Sequence, residues 1–408
     1  MSPKITRLET APVRIVGPCL IVRIWAGDTY GVGECYPSGP VAAVDAIAHS
    51  LAELLEGEDP RDVHRLAEKM RRWHIFTGAQ GGPVVTAISG IEIALWDLAG
   101  KLIGAPVYQL LGGAFRTRIR LYADCHAGTV DAAGHHLSDD AVPDPDTEEG
   151  RRRFTEAAQE ATSLGFTAVK FDVDDVYGQM RHDEWNRILT NAQIDRMVRQ
   201  VGVIREAVGD DIDLAIDMHA RFDVKSGIRA AQALEDFRLL WLEEPVPPEN
   251  IDGLAKVKAS TTTPICAGEN LYTRFPFLDL LARDAVDYVM PDLAKFGGLA
   301  EGRRVAELAE LHYVPFAPHN VSGPIGTLAA AHLCASVSNF SVLEYHAMDV
   351  AYFEALVEYA GGPVVQDGHV QLVDIPGLGV ELNEAVAEEH WHHKSGIPFF
   401  GQGNARVR

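Results

Sequence analysis

Residues 239–270 read LLWLEEPVPPENIDGLAKVKASTTTPICAGEN, and a pattern in this segment recurs through the C-terminal two thirds of the chain. Two short apolar runs, Leu239–Leu242 and Pro264–Ala267, are separated by a longer segment of helical character. A glutamate follows each run, and these residues, Glu243 and Glu269, are 26 positions apart. Short apolar runs between helices are typical of parallel strands that are buried on both faces of a sheet. The segment therefore predicts a strand–helix–strand unit of an α/β protein.

Eight runs of this kind lie between residues 119 and 343. They are Ile119–Ala123, Ala168–Phe171, Leu214–Ile216, Leu239–Leu242, Pro264–Ala267, Ala285–Met290, Val314–Ala317 and Ser341–Leu343. Their number and their spacing match a (β/α)8 barrel, a fold that is commonly built from about 250 residues. We therefore expect a TIM-type barrel over residues 116–375.

The first 115 residues follow a different order, because strands come first and helices follow. Ile5–Arg14 and Cys19–Trp25 alternate like strands, and Ala26-Gly27-Asp28 is a typical hairpin turn before a third strand. The helical segments after them are Val41–Leu55, Val63–Trp73 and Ala87–Ile103, with Gly104 as the expected residue just past the last helix. Strands followed by helices predict an α+β module over residues 1–115. Residues 376–408 are too short for a domain, and we expect them to pack back on this module.

Composition and charge exclude several classes of partner. The chain has 408 residues and a formal net charge of −22, which argues against binding to nucleic acid or to an anionic membrane surface. A small anionic substrate stays compatible, because a bound cation or a few lysines can reverse the local field. The five widely spaced cysteines and the absence of an apolar leader segment predict a cytoplasmic protein. We also expect a homo-oligomer.

Polar side chains follow almost every predicted strand, at the end where barrel active sites form. They are Lys170 and Asp172, Asp217 and His219, Glu243, Glu269, Asp292, His319 and Glu344. From Asp217 onward the successive steps are 23–27 residues long, which is about one β/α unit each. We therefore expect these side chains to converge on one mouth of the barrel.

Three of these carboxylates, Asp217, Glu243 and Glu269, come from adjacent strands. Their convergence without a neutralising charge would be very costly. Mg²⁺ prefers oxygen ligands and leaves coordination positions open for substrate, whereas Zn²⁺ is disfavoured because this set has no histidine or cysteine. We predict that the three carboxylates bind one Mg²⁺. Each carboxylate alone could instead cap the helix that follows it, but the matched spacing favours the metal.

At this point the chain resembles the enolase superfamily, in its mandelate-racemase-like branch, over almost its whole length. The resemblance rests on the motifs Asp217-x-His219, Glu243-Glu244-Pro245, Gly268-Glu269, Asp292-x-x-Lys295 and His319, on the helix 94–101 (ALWDLAGK) and on Pro376-Gly377-Leu378-Gly379. It implies an α+β capping domain, a modified (β/α)7β barrel and one Mg²⁺. It also implies abstraction of a proton α to a carboxylate, with the enolate held by the metal.

Within this resemblance, each ionisable residue has a chemical role. Lys170 and the metal would hold the substrate carboxylate, and Glu344 could donate a hydrogen bond to it only if it is protonated. His319 would be the base, oriented by Asp292 one unit earlier. A lone histidine after a strand is more often structural, but this one has both an aspartate and a carboxylate triad beside it.

His219 and Asp172 indicate which reaction follows proton abstraction. His219 lies two residues after a metal ligand and could protonate a departing β-hydroxyl group. Racemases of this branch typically carry Lys-x-Lys on the second strand, whereas here Asp172 replaces the second lysine. This pattern is similar to that of sugar-acid dehydratases acting on gluconate, galactonate or arabinonate. Asp172 and His126 would bind the substrate, although Asp172 could instead pair only with Lys170.

The sequence thus predicts a Mg²⁺-dependent hydro-lyase that converts a sugar acid into a 2-keto-3-deoxy acid. The alternatives are a racemase, an epimerase or a cycloisomerase of another carboxylate on the same fold, or a catalytically silent metal-binding scaffold. Residues 176–191 make the connection after the second strand unusually long. We expect this segment to form either a lid or an oligomer contact.

Overall fold

The computed structural model describes residues 2–36, 40–128, 143–174 and 187–401, and its first sheet is a three-stranded antiparallel meander. The strands are β1 (Arg7–Arg14), β2 (Pro18–Ala26) and β3 (Thr29–Cys35). Ala26 pairs with Thr29, so the loop between β2 and β3 is two residues long. Gly27 takes a φ of +64°, a conformation that costs glycine little. The predicted hairpin is therefore confirmed.

Four helices follow this sheet. They are α1 (Val41–Leu55), α2 (Val63–Trp73), α3 (Pro83–Ile103) and α4 (Val107–Leu110). α3 begins four residues before the predicted Ala87, because Pro83 is compatible with a first helical turn and follows Gly82 at a φ of +67°. Gly104 ends α3 in the left-handed conformation, as expected. By length and composition α3 could cross a membrane, but 94% of its most apolar window is buried inside the protein.

Two glycines of β3 allow the strand to lie directly on α3. A Cβ atom on Gly31 would lie 2.1 Å from the carbonyl oxygen of Ala94, and one on Gly33 would lie 2.2 Å from that of Gly90. Both distances are far below van der Waals contact. The Gly31-x-Gly33 pair therefore has a packing role between sheet and helix.

The barrel alternates strands and helices along the chain. Its elements are β4 (Arg118–Asp124), α5 (Glu148–Ser163), β5 (Ala168–Asp172), α6 (Asn191–Val208), β6 (Asp213–Asp217), α7 (Val224–Ala233), a 3-10 turn (Glu235–Phe237), β7 (Trp241–Glu243), α8 (Ile251–Lys258), β8 (Ile265–Ala267), α9 (Arg274–Ala282), β9 (Tyr288–Val289), α10 (Gly298–Leu311), α11 (Pro324–Ser336) and β10 (Leu343–Tyr345).

These strands are parallel and follow the order β10-β4-β5-β6-β7-β8-β9. The seventh barrel position is held by Phe316, which forms isolated parallel bridges to Val289 and to Phe340 and so closes the ring. With α5–α11 between them, these eight positions form a (β/α)7β barrel. The predicted barrel and its α+β companion are thus confirmed, and each predicted run overlaps an observed strand or adjoins one of these bridges.

The barrel interior is filled by a second, inner core to which each strand position contributes one side chain. Its members are Tyr122, Ala168, Ala215, Trp241, Cys266, Met290, Ala317 and Val342. The two largest, Tyr122 and Trp241, meet edge to face with ring centroids 5.4 Å apart, and alanines on neighbouring strands leave room for them. This layer is a packed floor directly below the carboxyl ends of the strands.

Two buried glutamates attach the N-terminal module to the barrel. Glu34 of β3 accepts backbone N–H bonds from Gly323 (2.5 Å) and Gly326 (3.0 Å) at the start of α11. Glu92 of α3 accepts the corresponding bonds from Leu299 (2.8 Å) and Ala300 (2.9 Å) at the start of α10. Helix N-termini favour negative charge, and they follow the carboxyl ends of the strands. The module is therefore anchored at the end of the barrel where the polar residues converge.

The C-terminal residues return to the N-terminal module. After the barrel come a 3-10 turn (Glu354–Leu356), β11 (Val357–Tyr359), β12 (His369–Gln371), β13 (Val380–Leu382), α12 (Glu384–Glu389) and a second 3-10 turn (His393–Ser395). Asp97 of α3 accepts N–H bonds from Val32 (2.9 Å) and Leu378 (2.8 Å), and a Cβ atom on Gly377 would lie 2.3 Å from its Oδ1. The division of the chain at residues 115 and 375 stays a prediction.

Candidate active site

The parallel register brings the predicted site residues side by side. Asp172 pairs with Asp217, and Asp217 pairs with Glu243, so three acidic residues lie at the carboxyl ends of adjacent strands. Five further predicted site residues lie within the barrel strands or follow them and are buried, namely Lys170, Glu269, Asp292, His319 and Glu344. So many buried ionisable groups at one mouth of a barrel are expected only where they serve a site.

Lys170 lies at the centre of this group. Its Nζ is 2.6 Å from Glu344 Oε1, 3.1 Å from Glu243 Oε1 and 3.2 Å from Asp217 Oδ2. A fourth carboxylate, that of Asp124, lies 3.7 Å away. Burial disfavours the ammonium ion, but Glu243 and Glu344 outweigh it and hold the pKa of Lys170 well above its usual value. Lys170 is therefore a fixed positive charge at the floor of the mouth.

The three predicted metal ligands do not form one tight cluster in this conformation. Lys170 contacts Asp217 and Glu243, whereas Glu269 Oε2 is 2.8 Å from His319 Nε2. The described groups of three potential ligands within 4.8 Å of one another are Asp124, His126 and His346, and Asp172, Asp217 and His219. Of the predicted triad, only Asp217 belongs to one of them.

The chemistry of the triad nevertheless fits a hard divalent cation. Its donor atoms are all oxygens, and burial together with the charge of Asp217 raises the pKa of Glu243 well above its usual value. Glu269 adds to this repulsion. A cation that prefers oxygen ligands would relieve it. Binding would require Lys170 and His319 to give up contacts with these carboxylates.

His319 and Asp292 form the predicted dyad. The Nδ1 of His319 is 2.9 Å from Asp292 Oδ2, which leaves Nε2 facing the mouth. Burial disfavours the imidazolium ion, but Glu344 and Glu269 outweigh it and hold the pKa of His319 well above its usual value. The geometry is that of a histidine oriented by a buried carboxylate for proton transfer through Nε2.

Glu344, which could donate a hydrogen bond to the substrate only if protonated, contacts a backbone N–H group and a lysine. Its Oε2 accepts the N–H of Asn320 at 2.8 Å, and its Oε1 faces Lys170. Although burial opposes ionisation, Lys170 and His319 hold the pKa of Glu344 below its usual value. The structure thus favours the carboxylate over the neutral acid that the predicted hydrogen bond to substrate required. The cause is Lys170, which neutralises Glu344 directly.

His219 belongs to a second histidine–aspartate dyad, which the sequence pattern did not reveal. Its Nδ1 is 2.9 Å from Oδ1 of Asp174, whose side chain is 1% exposed and also pairs with Arg221. Its Nε2 lies 3.5 Å from Asp217 Oδ2 and points toward Asp172 Oδ1 at 4.0 Å. The alternation Lys170-x-Asp172-x-Asp174 places three polar residues on one side of an extended segment, and this was the available signal.

Asp172 lies beside His219 rather than beside Lys170. Its Oδ1 is buried without a hydrogen-bond partner among the described residues. Among the described residues, the carboxylates within 4.0 Å of Lys170 Nζ belong to Asp124, Asp217, Glu243 and Glu344. The arrangement gives no support to the alternative that Asp172 pairs only with Lys170.

His126 lies at the edge of the mouth, where both of its ring nitrogens have partners. Its Nδ1 is 2.7 Å from Asp349 Oδ2, and its Nε2 is 3.0 Å from His346 Nε2. His346 in turn contacts Asp124 Oδ2 through its Nδ1 at 2.5 Å. Asp124 and His346 were not predicted, although Asp124 ends a strand and His346 lies two residues after Glu344, where alternation returns a side chain to the same face.

Comparisons with known proteins agree with this architecture. Residues 153–386 match the family model of the enolase C-terminal domain-like fold, and residues 13–112 match that of the mandelate racemase / muconate lactonizing enzyme N-terminal domain. A D-xylonate dehydratase from Haloferax volcanii is 42% identical over 388 residues, which cover 95% of this chain and 89% of the relative.

Two further relatives span nearly the whole chain. A D-galactonate dehydratase from Xanthomonas oryzae pv. oryzae is 32% identical over 409 residues, covering 96% of this chain and 98% of the relative. The crystal structure of a mandelate racemase/muconate lactonizing enzyme-like protein from Rubrobacter xylanophilus is 59% identical, with a TM-score of 0.93, and the match covers 98% of this chain and 100% of that chain. The chain therefore belongs to the enolase superfamily, in the branch that carries the mandelate racemase / muconate lactonizing enzyme N-terminal domain.

Proposed function

We propose that the protein is a Mg²⁺-dependent hydro-lyase that removes water from a sugar acid and releases a 2-keto-3-deoxy acid. The observation that carries this proposal is the pair of histidine–aspartate dyads, His319–Asp292 and His219–Asp174, at the same barrel mouth. Elimination of water needs a base for the α-proton and an acid for the leaving hydroxyl group. Two relatives named sugar-acid dehydratases support the same reaction.

Asp217, Glu243 and Glu269 would hold the Mg²⁺, and Lys170 would bind the substrate carboxylate through its fixed positive charge. When bound, Mg²⁺ supplies Lewis-acid stabilisation of the negative charge that develops on the substrate. Lys170 supplies further positive charge within a buried, low-dielectric site, where it stabilises anionic oxygens most strongly. Glu344 positions Lys170, since their 2.6 Å contact is the shortest that the ammonium makes.

His319 would take the α-proton onto Nε2 while its Nδ1–H stays bound to Asp292. This hydrogen bond fixes the tautomer and stabilises the imidazolium ion that forms. His219 would give a proton from Nε2 to the β-hydroxyl group, which then leaves as water. The resulting enol becomes the 2-keto-3-deoxy acid by tautomerisation. The substrate thus loses one hydrogen and one hydroxyl group as water. His319 gains one proton and His219 loses one, and proton exchange with solvent restores both before the next turnover.

Asp172 and His126 would contact the substrate. The unpartnered Oδ1 of Asp172 is an acceptor available for a sugar hydroxyl group, and an unsatisfied buried acceptor is costly until it is paired. A racemase or an epimerase of the two-base type would need a second base in place of Asp172, and a carboxylate beside His219 argues against that alternative. A silent scaffold would need neither dyad.

The decisive experiment is a screen of sugar-acid stereoisomers with Mg²⁺, beginning with D-xylonate and D-galactonate. The 2-keto-3-deoxy product is detected by the absorbance of its semicarbazone. We expect turnover with at least one isomer and none after removal of divalent cations with EDTA. If no isomer gave a 2-keto-3-deoxy product and the protein racemised or cycloisomerised another carboxylate, the proposal would be overturned.

Replacing Asp174 should impair the acid step selectively. In Asp174→Asn the Nδ1 of His219 loses its buried carboxylate, so we expect kcat to fall by about 10–100-fold with KM changed little. The pH profile of kcat should also change at high pH, where deprotonation of the general acid lowers kcat. Asp195→Asn, at an exposed position of α6, is the matched control. An unchanged kcat and pH profile in Asp174→Asn would remove Asp174 from the mechanism.

We further propose a cytoplasmic homo-oligomer with three parts, namely a capping domain over residues 1–115, the barrel over residues 116–375 and a returning segment over residues 376–408. The contacts of Glu34, Glu92 and Asp97 support this division. Residues 176–186 of the predicted long connection lie outside the described part of the chain, so a lid or an oligomer contact there stays a prediction.

A further inference from the structure

A buried histidine pair lies beside the proposed active site, and neither histidine transfers a proton in the proposed reaction. His126 follows β4 and His346 follows β10, and these two strands are neighbours in the barrel. Asp124 and His126 are 3% and 6% exposed, and the side chain of His346 is 12% exposed. We call Asp124, His126, His346 and Asp349 the histidine cluster.

The hydrogen bonds within the histidine cluster fix both rings. The Nδ1 of His346 is 2.5 Å from Asp124 Oδ2, and the Nδ1 of His126 is 2.7 Å from Asp349 Oδ2. Since a carboxylate accepts and the ring N–H donates, the protons of both rings lie on Nδ1. The two Nε2 atoms then face each other across 3.0 Å with their lone pairs converging. A proton or a metal ion must separate them.

We propose that Nε2 of His126 and Nε2 of His346 bind one borderline divalent cation, such as Zn²⁺ or Ni²⁺. Ligating histidines commonly donate their other N–H to a carboxylate, which orients the ring and increases its basicity. Both histidines of the cluster have this arrangement. Two nitrogens 3.0 Å apart can each lie about 2.05 Å from one metal at an angle of about 94°. This angle suits two adjacent positions of a five- or six-coordinate ion.

Asp124 lies beside both histidines and orients one of them. One atom of its carboxylate lies within 4.8 Å of ligand atoms of both histidines. Its Oδ2 orients His346 through Nδ1, so water would fill the remaining coordination positions of the ion.

The ligand types separate this site from the proposed Mg²⁺ site. Imidazole nitrogens suit Zn²⁺, Ni²⁺ and Cu²⁺, whereas Mg²⁺ prefers oxygen. The histidine cluster also has its own access, because His126 and Asp349 line a cleft of about 260 Å³ between α5 and the segment after β10. This inference gives His126 a metal-binding role in place of the predicted substrate contact, and it does not depend on which reaction the protein catalyses.

The test uses the full chain, stripped with EDTA and then saturated with Mg²⁺, titrated with ZnCl₂ by isothermal calorimetry. We expect one Zn²⁺ per chain, with the affinity lowered by at least about tenfold in His126→Gln and in His346→Gln. His393→Gln alters the exposed histidine near the C-terminus and should leave this affinity unchanged. Equal affinity in wild type and both cluster variants would overturn the proposal, as would its loss in His393→Gln.

A crystal soaked in ZnCl₂ keeps the proposal testable even if a variant does not fold. Anomalous diffraction at the zinc edge should show a peak between the two Nε2 atoms of the histidine cluster. A map without a peak there, or with peaks only at Asp172, Asp217 and His219 or on the surface, would mean that the imidazoles share a proton instead. Either of these results would refute the metal site.

Discussion

His319→Asn lowers kcat by at least about 10³-fold and leaves Mg²⁺ affinity unchanged within a few-fold, if His319 is the base. The expected loss lies within the range of general-base catalysis, which is about 10²–10⁴-fold. Asparagine keeps a polar group near Asp292 but offers no basic nitrogen for the α-proton. Steady-state turnover measured through the 2-keto-3-deoxy product gives kcat, and a metal titration gives the Mg²⁺ affinity.

The matched control is His312→Asn, which replaces an exposed histidine seven positions earlier, at the end of α10, and should retain full activity. Exchange of the substrate α-proton with deuterated water adds a second readout. His319→Asn should abolish this exchange together with turnover. If His319→Asn turned over within tenfold of the wild type, another group would have to be the base.

Glu243→Gln should weaken Mg²⁺ binding by about 100-fold or more, because the amide keeps the shape of a ligand but loses its charge. The variant should still fold without metal. Burial and Asp217 raise the pKa of Glu243, so removing its charge relieves repulsion. Lys170 keeps its contacts with Asp217, Glu344 and Asp124.

The measurement is the free energy of unfolding with and without Mg²⁺. A ligand at 100 times its Kd stabilises the folded state by about 2.7 kcal/mol, and this gain should appear in the wild type but not in Glu243→Gln. Glu249→Gln, at an exposed position in the same loop, should keep the full gain. An equal Mg²⁺ gain in Glu243→Gln and wild type would exclude Glu243 as a ligand.

The barrel could be predicted because its signal is periodic. Each predicted strand is a short apolar run, and the residue after it is polar, as around Leu242 and Glu243. Parallel strands in register then bring these polar residues to one mouth, and the pairing of Asp172 with Asp217 and of Asp217 with Glu243 shows this geometry. Spacing along the chain was therefore enough to place most of the candidate site.

The remaining features depend on contacts that spacing does not encode. The lowered pKa of Glu344 follows in part from a 2.6 Å contact with Lys170, and a sequence gives no such distance. Asp174 and His346 act through partners 45 and 222 positions away. The earlier start of α3 reflects Pro83, which the apolar periodicity alone did not include.

The return of the chain end to β1 has a consequence for the order of folding. The Arg14 N–H bonds to the carbonyl oxygen of His390, and the His392 N–H bonds to that of Pro12, each at 2.9 Å. These bonds cover the outer edge of the first sheet. During synthesis on the ribosome, this edge of β1 therefore stays unpaired until residues 390–392 have been made. Such long-range closure slows folding and leaves an edge open to pairing with other chains. Nascent chains that stop before residue 390 thus lack the bonds that cover this edge.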